Sequence, residues 1–309
     1  MNLPCSTGSA QAGESLAGSA PHALAWLALE QNGPWGAKAF TQSHLDPDLG
    51  RAVEAAAAEH RTRPALIRRP GAHPDHHIDP NHPHADPRHV LVAFTHPGNT
   101  WLLEGIVDRP SSVLELDWGG LEAGDADAVR RSLPSLVRTD RAHLLVCTNG
   151  TRDVCCATIG RPVALGASHR YPDQVWEVTH TSGHRFAPTS VLLPSGTLHG
   201  RLEPHAAAGL LDSAERGETV LAGSRGRSTW PMPAQVAELA VREEVGEVSL
   251  DSVSVTSHQE LAPQAWQSTV SHVDGRLWTV RVEAHESDVH RAESCGKPLK
   301  PLTFFTTVV

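Results

Sequence analysis

Several features are scarce in this chain of 309 residues, and each scarcity removes a class of function. No apolar run is long enough to cross a bilayer. The longest, residues 23–29, falls far short of the roughly 20 residues that a membrane-spanning helix needs. No long basic run occurs, and 26 Lys and Arg against 35 Asp and Glu give a net charge of −9 with histidine neutral. That balance argues against a nucleic-acid or anionic-membrane surface. The opening stretch, MNLPCSTGSAQAGESLAG, lacks a basic region followed by an apolar one, so no signal peptide is read and a soluble, cytoplasmic protein is expected. Cysteine is sparse, with five residues, too few for a disulfide framework in a chain of this size. No C-x-x-C is present, which leaves a thioredoxin-type dithiol without its motif.

What remains is ample for a folded core: 39% of residues are apolar and 20% charged. Pattern divides the chain into three segments, 1–135, 136–216 and 217–309, and predicts an α/β fold. In the first, HALAWLALE and PALIRR read as strands with a helix, DLGRAVEAAAAEH, between them; HVLVAFT and TWLLEGIV read as two more strands about the turn HPGN. The His- and Pro-dense stretch from His73 to His89 reads as a surface loop, with weak divalent-metal binding the less favoured alternative to no function. In the second, AHLLVC is a buried strand and CCATIGRPVALGASH the helix after it, Pro162 being expected only near that helix's start. QVWEVTH, a hairpin SVLLP/TLHGRLE about SG, and the helix PHAAAGLLDSAER complete a β-α-β-β-β-α order, the thioredoxin-like layout. The first segment loosely echoes that order. The third offers a helix, PAQVAELAVREEV, and three alternating stretches that suggest a small antiparallel sheet, an α+β segment.

Three of the five cysteines crowd into CTNGTRDVCC, Cys147 to Cys156. Loops at the carboxyl ends of parallel strands are where open α/β sheets bind ligands. The strand QVWEVTH delivers HTSGH to the same edge, so His180 and His184 are expected opposite Cys147 and Cys156. Two thiols and two imidazoles fit either a tetrahedral zinc site or a [2Fe–2S] cluster with both histidines on one iron. Cys155, beside them, is read as an ordinary buried thiol or as a spare or alternative ligand.

The stretches VCTNGTRDVCCATIGRPVA and VWEVTHTSGHRFAPTSVLLPSGTLHGRLEP, with GESLAGSAP and NGPWG upstream, resemble the sucrase/ferredoxin-like family over about residues 5–216. The resemblance implies a thioredoxin-like ferredoxin domain whose [2Fe–2S] cluster is held by a C-x8-C pair, matched by Cys147 and Cys156, and an H-x-G-G-H pair, matched by His180 and His184. Ser182 stands where that motif has its first glycine. No pair of carboxylates is singled out for glycoside hydrolysis.

The expectation is an electron carrier or redox sensor, acting with a redox partner protein and needing no substrate of its own. The alternatives are a zinc-stabilised interaction module holding Zn2+, and a thiol oxidoreductase using Cys155 or Cys156. Arg152, Asp153 and Arg161 are read either as groups bracing the ligand loop or as solvated loop charges. Trp35 and Trp176 are expected in the core. Cys5 and Cys295 are left as unpaired thiols.

Overall fold

The computed structural model describes residues 3–71 and 86–308. Residues 73–85 of the expected His-rich loop lie outside them, and His89 belongs to a strand. Among the described residues no helix is long and apolar enough to cross a membrane.

A short helix α1 (Cys5–Gln11) precedes strand β1 (Ala25–Glu30), every residue of which is buried. Helix α2 (Pro47–Glu59) starts where Asp46 accepts the N–H groups of Asp48 and Leu49, with Pro47 in the first turn, where its missing N–H costs nothing. Strands β2 (Thr62–Arg68), β3 (Arg88–Phe94) and β4 (Trp101–Val107) follow as the periodicity predicts. Helices α3 (Trp118–Ala123) and α4 (Ala126–Ser132), each capped by an aspartate, and strand β5 (Leu136–Thr139) complete the first half.

The second half runs β6 (His143–Cys147), α5 (Val154–Ser168), β7 (Val175–Val178), β8 (Ser190–Leu193), β9 (Thr197–His199), α6 (Pro204–Glu215) and β10 (Ser224–Arg227). Pro162 stands inside α5, not near its start. Its missing N–H is tolerated because the turns on either side bury Gly160, Val163, Ala164 and Ala167. Helix α7 (Met232–Val245) then packs under a separate antiparallel sheet of β11 (Val253–Ala262), β12 (Ala265–His272), β13 (Leu277–Glu286) and β14 (Thr303–Val308).

The large sheet has ten strands in the order β10-β9-β8-β6-β7-β2-β1-β3-β4-β5. Within it β1 and β2 are parallel, as are β6 and β7, each pair joined through a helix as a parallel connection requires. The order reads alike from both ends, β7-β6-β8-β9 against β2-β1-β3-β4, and the halves meet where β2 pairs antiparallel with β7. Side chains alternate between two buried faces. Leu27 and Leu29 join the core beneath α2, Leu144 and Val146 the core beneath α5 and α6, while Trp26, Ala28, Leu145 and Cys147 enter a core shared by both halves. Burial on both faces explains why these strands read as continuous apolar runs. Trp35 and Trp176 are core residues, as expected.

Candidate metal centre

Cys147 is the last residue of β6, and Cys156 lies in the first turn of α5. Both are buried, at 1% and 0% exposure. Helix α5 can approach this closely because Gly160 has no side chain: a Cβ there would lie 2.3 Å from the Cys147 carbonyl oxygen. Cys147 is in register with Val178 of β7, so Thr179 and His180 leave the sheet at the same edge, and Cys147 Sγ lies 3.8 Å from the Thr179 carbonyl. Ser182 and Gly183 then take consecutive left-handed conformations, φ 61° and 69°, which turn the chain back on itself. His184 begins a 3-10 turn, His184–Phe186. The expected juxtaposition follows. The His180 and His184 rings stack with centroids 4.7 Å apart, and Cys156 Sγ lies 3.2 Å from His184 Nδ1.

Buried cations hold this loop. Arg225 of β10 is fully buried and donates to the carbonyls of Thr181 at 3.2 Å and Ser182 at 3.1 Å, and to Ser19 Oγ at 3.0 Å. Arg63 donates to Ser182 Oγ at 3.0 Å. Burial lowers the Arg225 pKa to about 9 and that of Arg63 to about 10. The His180 pKa falls to about 2, through burial first and the Arg63 charge second; His184 is lowered too, mainly by burial. Both imidazoles are therefore neutral at pH 7, the state in which they bind metal. The Cys147 thiol is lowered to about 7, chiefly by its hydrogen bond with Cys156, and that same bond raises Cys156. His180 Nδ1 is buried with no hydrogen-bond partner among the described residues. A cleft of about 270 Å3, lined in part by Lys38, Arg63, Arg152 and His180, opens beside the ring.

A second group adjoins the first, and sequence reading did not find it. Cys5, Asp153, Cys155 and Cys295 place one ligand atom each within 4.8 Å of one another, so this buried Cys/Asp group could hold a metal ion. Cys155 therefore turns away from Cys156 towards the two ends of the chain. Asp153 is 3% exposed and caps α5 through the Cys155 N–H, so it is not a solvated loop charge. Of the other two charges, Arg152 donates to the Ala37 carbonyl at 3.0 Å, and Arg161 lines a cleft with Trp35 and Arg68. The only available clue to the second group was that Cys5 and Cys295 had no assigned use.

No curated protein and no solved structure matches the chain. The family model described as sucrase/ferredoxin-like matches residues 16–226, well over half of the chain and inclusive of Cys147, Cys156, His180 and His184. The chain belongs to the sucrase/ferredoxin-like family.

Proposed function

We propose that the protein is an electron carrier or redox sensor that holds a [2Fe–2S] cluster through Cys147, Cys156, His180 and His184, on a thioredoxin-like domain formed by the second half of the sheet. The carrying observation is the donor set: two buried thiols from one strand-end loop and two neutral imidazoles from the next, with Cys156 and His184 in contact and His180 Nδ1 without a partner among the described residues. Spacing supports a cluster over a single ion. Among the described residues, the ligand atoms that crowd within 4.8 Å belong to the Cys5 group and not to this set. The strand order β7-β6-β8-β9, with β8 antiparallel to β6, supports the thioredoxin-like assignment.

When bound, the cluster would supply one-electron transfer at a potential raised by its two neutral ligands. The chain's own residues divide the remaining work. Cys147 and Cys156 are sealed in the core while both histidines are half-buried, so the imidazole end faces outward. Arg225 and the left-handed pair Ser182–Gly183 fix where the two rings stand, and the buried guanidiniums of Arg225 and Arg63 offset thiolate charge.

The test is colour with metal analysis. Anaerobically purified protein should be red-brown and contain iron and sulfide in equal amounts. Cys147→Ser and Cys156→Ser should each abolish the visible spectrum, and Cys155→Ser should leave it. A colourless wild-type protein without iron would sink the reading, and a coloured Cys156→Ser beside a colourless Cys155→Ser would reverse the ligand assignment.

A further inference from the structure

The three cysteines that this cluster does not use meet at one place, although they come from residue 5, residue 155 and residue 295. We propose that Cys5, Cys155 and Cys295, with Asp153 as the fourth ligand, form a separate site for a single zinc ion that clamps α1 and the segment before β14 to the start of α5.

The distances are those of one tetrahedral ion. Zn–S bonds of about 2.3 Å at tetrahedral angles hold sulfurs about 3.8 Å apart, and with a Zn–O bond of about 2.0 Å the sulfur–oxygen edge is about 3.5 Å. The observed edges are 3.8 Å between Cys5 and Cys155, 3.4 Å between Cys155 and Cys295, and 3.4 Å between Cys5 and Cys295. Cys5 Sγ lies 3.4 Å from Asp153 Oδ2. All five cysteines are free, and a disulfide between any two of these three would strand the third thiol. Three soft sulfurs with one carboxylate select zinc over magnesium or calcium, which take oxygen ligands.

Hydrogen bonds orient the ligands as second-layer groups do at metal sites. Asp153 Oδ1 accepts from the Cys155 N–H at 2.9 Å, and Oδ2 from the Cys295 N–H at 2.8 Å and Ser294 Oγ at 2.7 Å. The Cys5 N–H donates to Cys295 Sγ at 3.4 Å, the direction a thiolate favours. Yet among the described residues Asp153 has no ion-pair partner, Arg185 and Arg291 pairing with Glu14. A buried carboxylate facing three thiols lacks a cation, and zinc supplies one as the thiols release their protons. Entry is open: a cleft of about 540 Å3, lined in part by Leu3, Val154, Arg291 and Lys297, reaches Cys5 and Cys295.

The test is zinc content, read separately from iron. Full-length wild-type protein, purified without chelator, should carry one zinc per chain, and cobalt put in its place should give thiolate-to-metal absorption. Cys5→Ser and Cys295→Ser should each lose the zinc and keep the visible spectrum of the iron protein. Cys147→Ser should lose iron and keep zinc. Zinc without iron would sink the cluster reading and leave this one standing if Cys5→Ser and Cys295→Ser lose that zinc and Cys147→Ser keeps it; the reverse pattern would overturn this one too. Wild-type protein that holds no zinc and takes up no cobalt would overturn the proposal without any variant having to fold. So would a disulfide between two of the three cysteines, or loss of iron in place of zinc from Cys295→Ser.

Discussion

The half of the large sheet built from β1–β4 and the half built from β6–β9 share a strand order, yet different residues stand at the edge where the metal ligands would be. Register makes the comparison residue by residue. Glu30 pairs with Ile67, Cys147 pairs with Val178, and Ile67 pairs with Val178 across the joint. Glu30 is therefore the first half's counterpart of Cys147. Two residues beyond Ile67 is Arg69, where the second half has His180. Arg69 stacks on Trp176, its guanidinium carbon 3.5 Å from the ring centroid, and donates to the Pro172 carbonyl. At these positions the first half keeps Glu30 for bonds within itself, from the His89 N–H at 3.1 Å and the Asn32 amide, and uses Arg69 to brace its partner. One layout thus serves as scaffold and as site, and a few strand-end residues decide which.

The largest stability effect is expected at the joint itself. Arg68 and Glu177 form a buried ion pair at 2.8 Å, and Arg68 also donates to the Gly33 carbonyl at 2.7 Å. Arg68→Met takes the guanidinium away from the buried Glu177 carboxylate, which keeps the Thr148 hydroxyl at 2.9 Å, and should cost about 3–5 kcal/mol in urea unfolding. A loss below about 1 kcal/mol would show that strand pairing alone joins the halves. Two separated transitions in the variant would show the halves to be independent units.

Acid sensitivity should distinguish the halves next. His199 of β9 is buried, donates from Nε2 to the Val220 carbonyl at 2.9 Å, has no partner at Nδ1 among the described residues, and has its pKa lowered to about 4, chiefly by burial. The unfolded chain takes up this proton near pH 6.5 and the folded chain not until about pH 4. The stability is therefore complete above pH 6.5 and is lost as pH falls towards 4, by on the order of 3 kcal/mol. The counterpart of His199 in the first half, through the pairs Leu29–Val90–Gly105 and Val146–Ser190–His199, is Gly105, which cannot titrate. His199→Gln should remove about that much of the slope between pH 6.5 and 4 and leave the part that the lowered His180 and His184 contribute. An unchanged slope would place the acid-labile group elsewhere.

The smallest expected effect compares two turns. Gly71, four residues after Ile67, and Ser182, four after Val178, both have positive φ, 79° and 61°. Gly71→Ala meets nothing within 4 Å and should cost only the left-handed penalty, about 1 kcal/mol, with the visible spectrum unchanged. Gly183→Ala, beside Ser182, adds a contact of 2.4 Å with Arg225 Nη2 and should cost about 2 kcal/mol and disturb the spectrum. Equal costs with equal spectra would mean that Arg225 does not position the histidine loop.

Local pattern sufficed for most elements. Apolar runs marked the strands β1–β4 and β6–β8, and proline and aspartate marked the helix starts. Strand β10 escaped because its residues, Ser-Arg-Gly-Arg, read as a polar turn. Its burial depends on Arg225 bonding to the His180–His184 loop and on Arg227 reaching the Leu250 carbonyl at 2.6 Å, contacts between segments far apart in the chain. Pro162 was misplaced for the opposite reason: a local rule bars proline from helix interiors, and packing on both sides overrode it.

The sequence by itself determined the α/β class, the β-α-β-β-β-α order of the second half and the meeting of Cys156 with His184. It could do so because a parallel βαβ unit sends both strand ends to one edge, whatever the rest of the chain does. Only the tertiary structure decided the pairing of the two halves through β2 and β7 and the convergence of Cys5, Cys155 and Cys295. Cys5 and Cys295 are 290 positions apart, and no periodicity reaches that far. Their contact exists because α1 and the segment before β14 both return to the start of α5, where the buried Asp153 carboxylate accepts hydrogen bonds from Ser294 and the Cys295 N–H.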